Sequence, residues 1–169
     1  MSHNTAGTAG HHDADKAGSL ARNAAKAVGA VFLLVGILGF VPGITQDIYP
    51  LNLFGHEPKG GEHALLLGLF EVSVLHNIVH LLFGVAGLAM AKHADSAVKY
   101  LIGGGVVYLL LTVYGLIVEG EHKSAANFVP FNGHDNWLHA LLGVLMLALG
   151  FVAKKALDKA HDHSTTSTR

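Results

Sequence analysis

Apolar residues in this chain are gathered into four blocks rather than spread evenly along it. No Asp, Glu, Lys or Arg occurs for 20 positions between Lys26 and Asp47, 20 between Glu71 and Lys92, 19 between Lys99 and Glu119, and 18 between Asp135 and Lys154. A helix rises about 1.5 Å per residue and the hydrocarbon layer of a bilayer is about 30 Å thick, so each block is long enough to cross it. The pattern predicts an all-α polytopic membrane protein, with four transmembrane helices in a bundle.

Helix-breaking residues place the ends. The first helix is expected over about Ala24 to Val41, where Pro42 and Gly43 stop it. A loop follows over 44–63, and the second helix is expected from Glu62 or His63 to about Ala91. That is longer than one span, so tilt or a projecting end is implied. After the short link KHADSAVK, the third helix is expected over about Ala97 to Glu119, with Ser96 as its cap. The fourth starts near His134 or Asp135 and ends between Lys155 and Lys159. Three regions result: a disordered polar N-terminal tail over 1–23, a transmembrane domain over 24–157, and a flexible C-terminal tail over 158–169. The first 27 residues are polar, and no small-residue cleavage pattern follows the first block, so a retained membrane helix is expected rather than a secretory signal.

Composition narrows the function classes. Charged residues make up only 14% of the chain, against about 25% in a soluble domain. The net charge of -1 and the lack of basic clusters interleaved with aromatics argue against a nucleic-acid partner. With no cysteine, thiolate catalysis and Cys metal sites are excluded. Phosphate-loop, dinucleotide and H-E-x-x-H patterns are absent from the sequence.

Basic residues set the expected orientation. Lys16, Arg22, Lys26, Lys92, Lys99, Lys154, Lys155, Lys159 and Arg169 fall on one side of the predicted spans, and only Lys59 and Lys123 on the other. The positive-inside rule then puts both termini in the cytoplasm and both longer loops outside, in a bacterial inner (plasma) membrane. Tyr49, Phe54, Phe128, Phe131 and Trp137 fall near the outer boundary, where interfacial aromatics belong.

Two of the blocks open alike. Aligned on asparagine, HNIVHLLFG and DNWLHALLG both read N-x-x-H-x-x-x-G, with Asn77, His80, Gly84 and Asn136, His139, Gly143. Each set lies on one helical face, and small and polar residues on one face seek neighbouring helices rather than lipid. A duplicated two-helix unit is the implied origin, although helices one and three show no obvious match. Two readings of the histidines stand side by side. In the first, Asn77, Asn136, His80 and His139 are satisfied structural polar groups that fix the register of the helices. In the second, His80 and His139 hold a haem, or His76, His80, His134 and His139 hold a transition metal, since imidazole is a ligand for both. His56, His63 and His122 fall in or near the outer loops and would extend such a cluster. Glu119 and His122 have the E-x-x-H spacing of di-iron bundles, but no second copy exists, and Glu119 is expected at a helix end. Glu71 is the best lone candidate for a proton-linked role.

The G-x-x-G-F-V-P-G end of helix one and the N-x-x-H-l-l-x-G opening of helix two resemble an uncharacterised bacterial family of four-helix integral membrane proteins, a domain of unknown function. Gly36, Gly39, Phe40, Pro42, Gly43, Asn77, His80, Gly84, Asn136, His139 and Gly143 carry the resemblance, which runs from about Ala24 to Ala153. It implies the four-helix fold and brings no catalytic or binding residues. The expected function is a non-enzymatic structural or accessory membrane protein, in contact with membrane lipids and within a larger membrane complex or homo-oligomer. The alternatives are a haem- or metal-binding membrane protein and a small transporter or redox subunit.

Overall fold

The computed structural model describes residues 5–48, 51, 53–54, 64–118 and 132–166. Among them four helices dominate: α1 (Thr5–Leu38), α2 (Val74–Met90), α3 (Ala94–Val118) and α4 (Gly133–Thr166). Three are long and apolar enough to cross a membrane, through Ala14–Leu38, Ala94–Val118 and Gly133–Asp162. The fourth, α2, is apolar but has 17 residues.

Helix α2 is where the sequence reading needs correction. It begins at Val74, not near Glu62 or His63, because residues 64–73 are not helical. Leu65–Leu66 (β2) and Phe70–Glu71 (β3) instead form an antiparallel hairpin, and Thr45–Gln46 (β1) adds a third short strand beside β2. The turn between β2 and β3 places Leu67 and Gly68 at φ 54° and 69°, a left-handed conformation that Gly68 adopts without a Cβ penalty. Ser73 then starts α2 by accepting a hydrogen bond from the His76 amide at 3.1 Å. Glu71 is therefore a strand residue and not part of helix two.

The helix ends differ too. Helix α1 starts at Thr5, well before Ala24, and α4 continues to Thr166, so neither 14–23 nor 158–162 stands apart from the packed helices. The reason is an alanine ridge: Ala17, Ala21 and Ala25, four residues apart, are buried in one core with Ala91, Ala97, Ala153 and Leu157. Helix α3 starts at Ala94, ahead of Ser96. Helix α1 stops at Leu38, where the buried Thr45 hydroxyl donates to the Leu38 carbonyl at 2.9 Å and Gly43 turns the chain at φ 87°.

Packing is organised as two antiparallel pairs, α1 with α2 and α3 with α4, and α1 also packs on α3 and α4. Glycines set both seams. A methyl group on Gly84 would lie 2.8 Å from the Gly29 carbonyl oxygen, and one on Gly105 would lie 2.9 Å from the Gly143 carbonyl oxygen. Backbones that close leave no room for a side chain. Those contacts give the register that links the two pairs: residues 29–39, GAVFLLVGILG, correspond to residues 105–115, GVVYLLLTVYG. Gly29, Phe32, Gly36 and Gly39 thus match Gly105, Tyr108, Thr112 and Gly115. Helices α1 and α3 align in a register set by which glycine faces which helix.

Candidate functional site

The site lies where the loop-bearing ends of the helices meet. Ser73 and Asn132 occupy equivalent cap positions at the starts of α2 and α4. Asn132 Oδ1 accepts from the Asp135 amide at 3.0 Å, and Asp135 Oδ2 accepts from the Asn132 amide at 3.1 Å, a reciprocal cap. The same Asp135 oxygen accepts from the Glu71 amide at 3.1 Å, and Asn132 Nδ2 donates to the Leu69 carbonyl at 2.8 Å. The hairpin of the first half is thereby strapped to the first turn of α4.

One turn further in, the polar face of α2 meets the ring pair of α1 and α3. His76, Asn77, His80, Asn136 and His139 are all buried, with Asn77 fully enclosed. The His76 and His80 rings stack with centroids 4.5 Å apart, and the His139 ring is 6.4 Å from that of His76. Phe32 meets His80 edge-on at 5.5 Å, and Tyr108 meets His139 edge-on at 5.1 Å. Phe32 and Tyr108, equivalent by the repeat, stack on each other at 5.2 Å. The four rings make one aromatic chain across the molecule: His80, Phe32, Tyr108, His139.

Hydrogen bonding inside the cluster is incomplete. With its proton on Nδ1, His80 donates to the His76 carbonyl at 3.0 Å, which leaves its Nε2 as an acceptor. Among the described residues, His76 Nδ1, Glu71 Oε2 and both amide atoms of Asn77 have no hydrogen-bond partner. Each such group costs about 1–3 kcal/mol when left dry, and ordered water is the usual remedy. Asn77 is held by shape instead: its amide lies directly over the Cα of Gly39, where any side chain would collide with it.

The structure brings together His76, His80 and His139 of the sequence-derived site residues, and places Glu71 and Asn136 near them at the same end. It does not bring in His134, which is exposed. Gly84 and Gly143 prove to be seam residues, one turn deeper than His80 and His139. Glu119, His56, His63 and His122 lie outside the described residues, as do Tyr49, Phe128 and Phe131. Among the described residues no group of three or more His, Asp or Glu side chains converges as a metal-binding set. His76 links the His80 and His139 rings on one side, and the stacked Phe32 and Tyr108 rings link them on the other. The one sequence signal for the role of Asp135 is its spacing from Asn132, that of a reciprocal cap. Trp137 is largely exposed at the mouth of a 340 Å³ groove that reaches Thr112 and Asn136.

Fold and site together define a helical protein with apolar outer faces and a small, enclosed, imidazole-rich interior. Residues 22–152 match the family described as a domain of unknown function, DUF4383, and the chain belongs to that family. No curated protein and no solved structure matches the chain.

Proposed function

We propose that this chain is a four-span integral membrane protein of the bacterial inner membrane, with both termini cytoplasmic, and that it works as a non-enzymatic accessory subunit of a larger membrane assembly or homo-oligomer. One observation carries the reading: the outward faces of the helices are apolar, and the polar side chains within the charge-free blocks turn inward. Leu82, Leu110, Leu116, Ile117 and Phe151 are exposed, whereas the histidines and asparagines of the apolar blocks are buried. Hydrocarbon favours that arrangement and water does not. Among the described residues, the imidazoles of the cluster are enclosed by helices and rings. Helix α2 spans about 25 Å at 1.5 Å per residue, short of a 30 Å core, and local thinning or the apolar hairpin before it makes up the difference.

The cysteine-free sequence suits the test. Single cysteines at Ser96 and at Gly61, probed from each side of intact cells with a membrane-impermeant thiol reagent, should label from opposite sides. Labelling of both from one side would overturn the four-span reading. Mild-detergent purification from the native membrane should recover a larger assembly without stoichiometric metal or a Soret band.

A second reading is favoured by the three neighbouring imidazoles His76, His80 and His139, with the buried carboxyl groups of Glu71 and Asp135 at the same end of the helices, all groups able to carry a proton. In that reading the chain is a proton-linked subunit of a transporter or redox complex. A haem or metal at His80 and His139 is a further variant of it, and a Soret band or stoichiometric metal lost in His80→Ala and His139→Ala would establish that variant.

A further inference from the structure

A second feature sits at the opposite, lysine-rich end. Between the start of α3 and the last turns of α4 lies a cavity of about 500 Å³, within the size range of small-ligand sites. Val98, Ile102 and Leu157 form its floor, and Val98 and Leu157 are buried. Its rim carries Asp95 and Lys99 from α3 and Lys154, Asp158 and His161 from α4, the His161 ring lying with Nδ1 2.9 Å from the Leu157 carbonyl oxygen. The two helices run antiparallel, with Ile102 facing Gly150 and Leu109 facing Gly143. Asp95 and Asp158 therefore each stand four residues further from the apolar blocks than Lys99 and Lys154. Four residues of helix are about 6 Å. The charges form two tiers: a pair of lysines beside the apolar floor, and a pair of carboxylates one turn further out. Lys154 contacts Asp158 at 2.6 Å, while Lys99 and Asp95 have no ion-pair partner among the described residues.

We infer that this cavity binds the headgroup of a zwitterionic phospholipid bearing a primary amine, of the phosphatidylethanolamine class. Its phosphodiester would lie against Lys99 and Lys154, its ammonium against Asp95 and Asp158, and its glycerol end over Val98 and Ile102. In such a lipid the phosphate sits nearer the acyl chains and the amine nearer water, which is the order of the two tiers. The two lysine and two aspartate charges cancel, and this suits a zwitterion better than an anionic lipid. A primary ammonium offers three N–H donors to the carboxylates, and a choline headgroup offers none. The inference rests on the membrane placement proposed above.

The two are tested separately. Membrane placement is checked first, by requiring that the full chain sediment with membranes and need detergent for release. The protein in mild detergent is then examined by native mass spectrometry with phosphatidylethanolamine, phosphatidylcholine or phosphatidylglycerol added at equal molar ratio, and with glycerophosphoethanolamine as the free headgroup. Phosphatidylethanolamine should be retained over the other two lipids and over the free headgroup. The Asp95→Asn, Asp158→Asn double variant should lower its retention by roughly three- to tenfold, the scale of two exposed charge contacts, and bring it level with phosphatidylglycerol. Lys99→Ala with Lys154→Ala should weaken all three lipids together. These positions are exposed, and circular dichroism checks that the helices survive. Equal retention of the three lipids, a preference unchanged in the aspartate variant, or free headgroup bound as tightly as lipid would each overturn the inference. A chain released without detergent would overturn the membrane placement as well.

Discussion

The α1–α2 half and the α3–α4 half are built on one plan and finished differently. Both are antiparallel pairs closed by glycines, both carry Asn and His three residues apart on the second helix, and both present a ring at the same place on the first, Phe32 or Tyr108. They diverge at the loop-bearing end. Where α2 has His76, α4 has Asp135; where α1 has Gly36, α3 has Thr112, whose hydroxyl donates to the Tyr108 carbonyl at 2.9 Å. Both second helices start from a satisfied cap, Ser73 in α2 and the Asn132–Asp135 pair in α4, but just beyond it the first half carries His76 Nδ1 and both Asn77 amide atoms without hydrogen-bond partners among the described residues. The shared residues supply the seam and the ring chain, and the divergent ones, His76 against Asp135, set the polarity of its outer end.

That comparison is open to attack at its seams first. Gly84 and Gly143 are equivalent and face equivalent neighbours, but at different distances. A methyl group on Gly84 would lie 2.6 Å from the Leu33 side chain, 2.7 Å from the Leu33 amide nitrogen and 2.8 Å from the Gly29 carbonyl oxygen, whereas one on Gly143 would lie 2.9 Å from the Leu109 side chain and 3.1 Å from the Gly105 carbonyl oxygen. Gly84→Ala is expected to cost about 2–3 kcal/mol and Gly143→Ala about 1–2 kcal/mol, because the closer backbone at Gly84 has less room to yield. Thermal unfolding in detergent measures both, and equal losses would remove the asymmetry. Gly103, with open space where a Cβ would stand, is the control, and Gly103→Ala should be neutral or slightly stabilising.

The strap comes next. Asp135→Ala removes the acceptor for both the Glu71 and Asn132 amides and should cost about 1–3 kcal/mol. Because a single oxygen, Oδ2, accepts both bonds, Asp135→Asn should retain most of the stability. Hydrogen exchange at the Glu71 amide separates the two variants. Asn77→Ala should move stability by less than Asp135→Ala, since its amide makes no hydrogen bond to any described residue. A loss above about 2 kcal/mol would show that Asn77 holds a bound water or partner. The smallest effect is expected at Thr112→Ala, within about 0.5 kcal/mol by differential unfolding, because its match in α1 is a glycine.

Legibility followed the strength of the pattern. Charge-free blocks marked the cores of all four helices, since nothing else in a protein keeps ionic side chains away for so long. The start of α2 was hidden because Leu65–Phe70 is as apolar as a helix, and only Gly68 hints at a turn. The start of α1 was hidden for the opposite reason: polar residues around Ala17 and Ala21 mask a buried alanine ridge. His80 and His139 are legible as inward-facing from helical spacing, whereas His76 reads only as an addition to an outer metal cluster with His134. Phe32 was not, because a lone phenylalanine in an apolar block carries no signal until its partner across the interface is known. Asp135 was passed over because it stands at the boundary of a block, where a carboxylate is ordinary.

On the membrane reading proposed above, the matching halves also constrain how the chain would insert. Both halves run in the same direction, so neither needs to be inserted upside down relative to the other. A gene cut in the link between Met90 and Ala94 would yield two hairpins that already share one orientation and find each other through the facing rings of Phe32 and Tyr108, much as two copies of a single ancestral hairpin would have done.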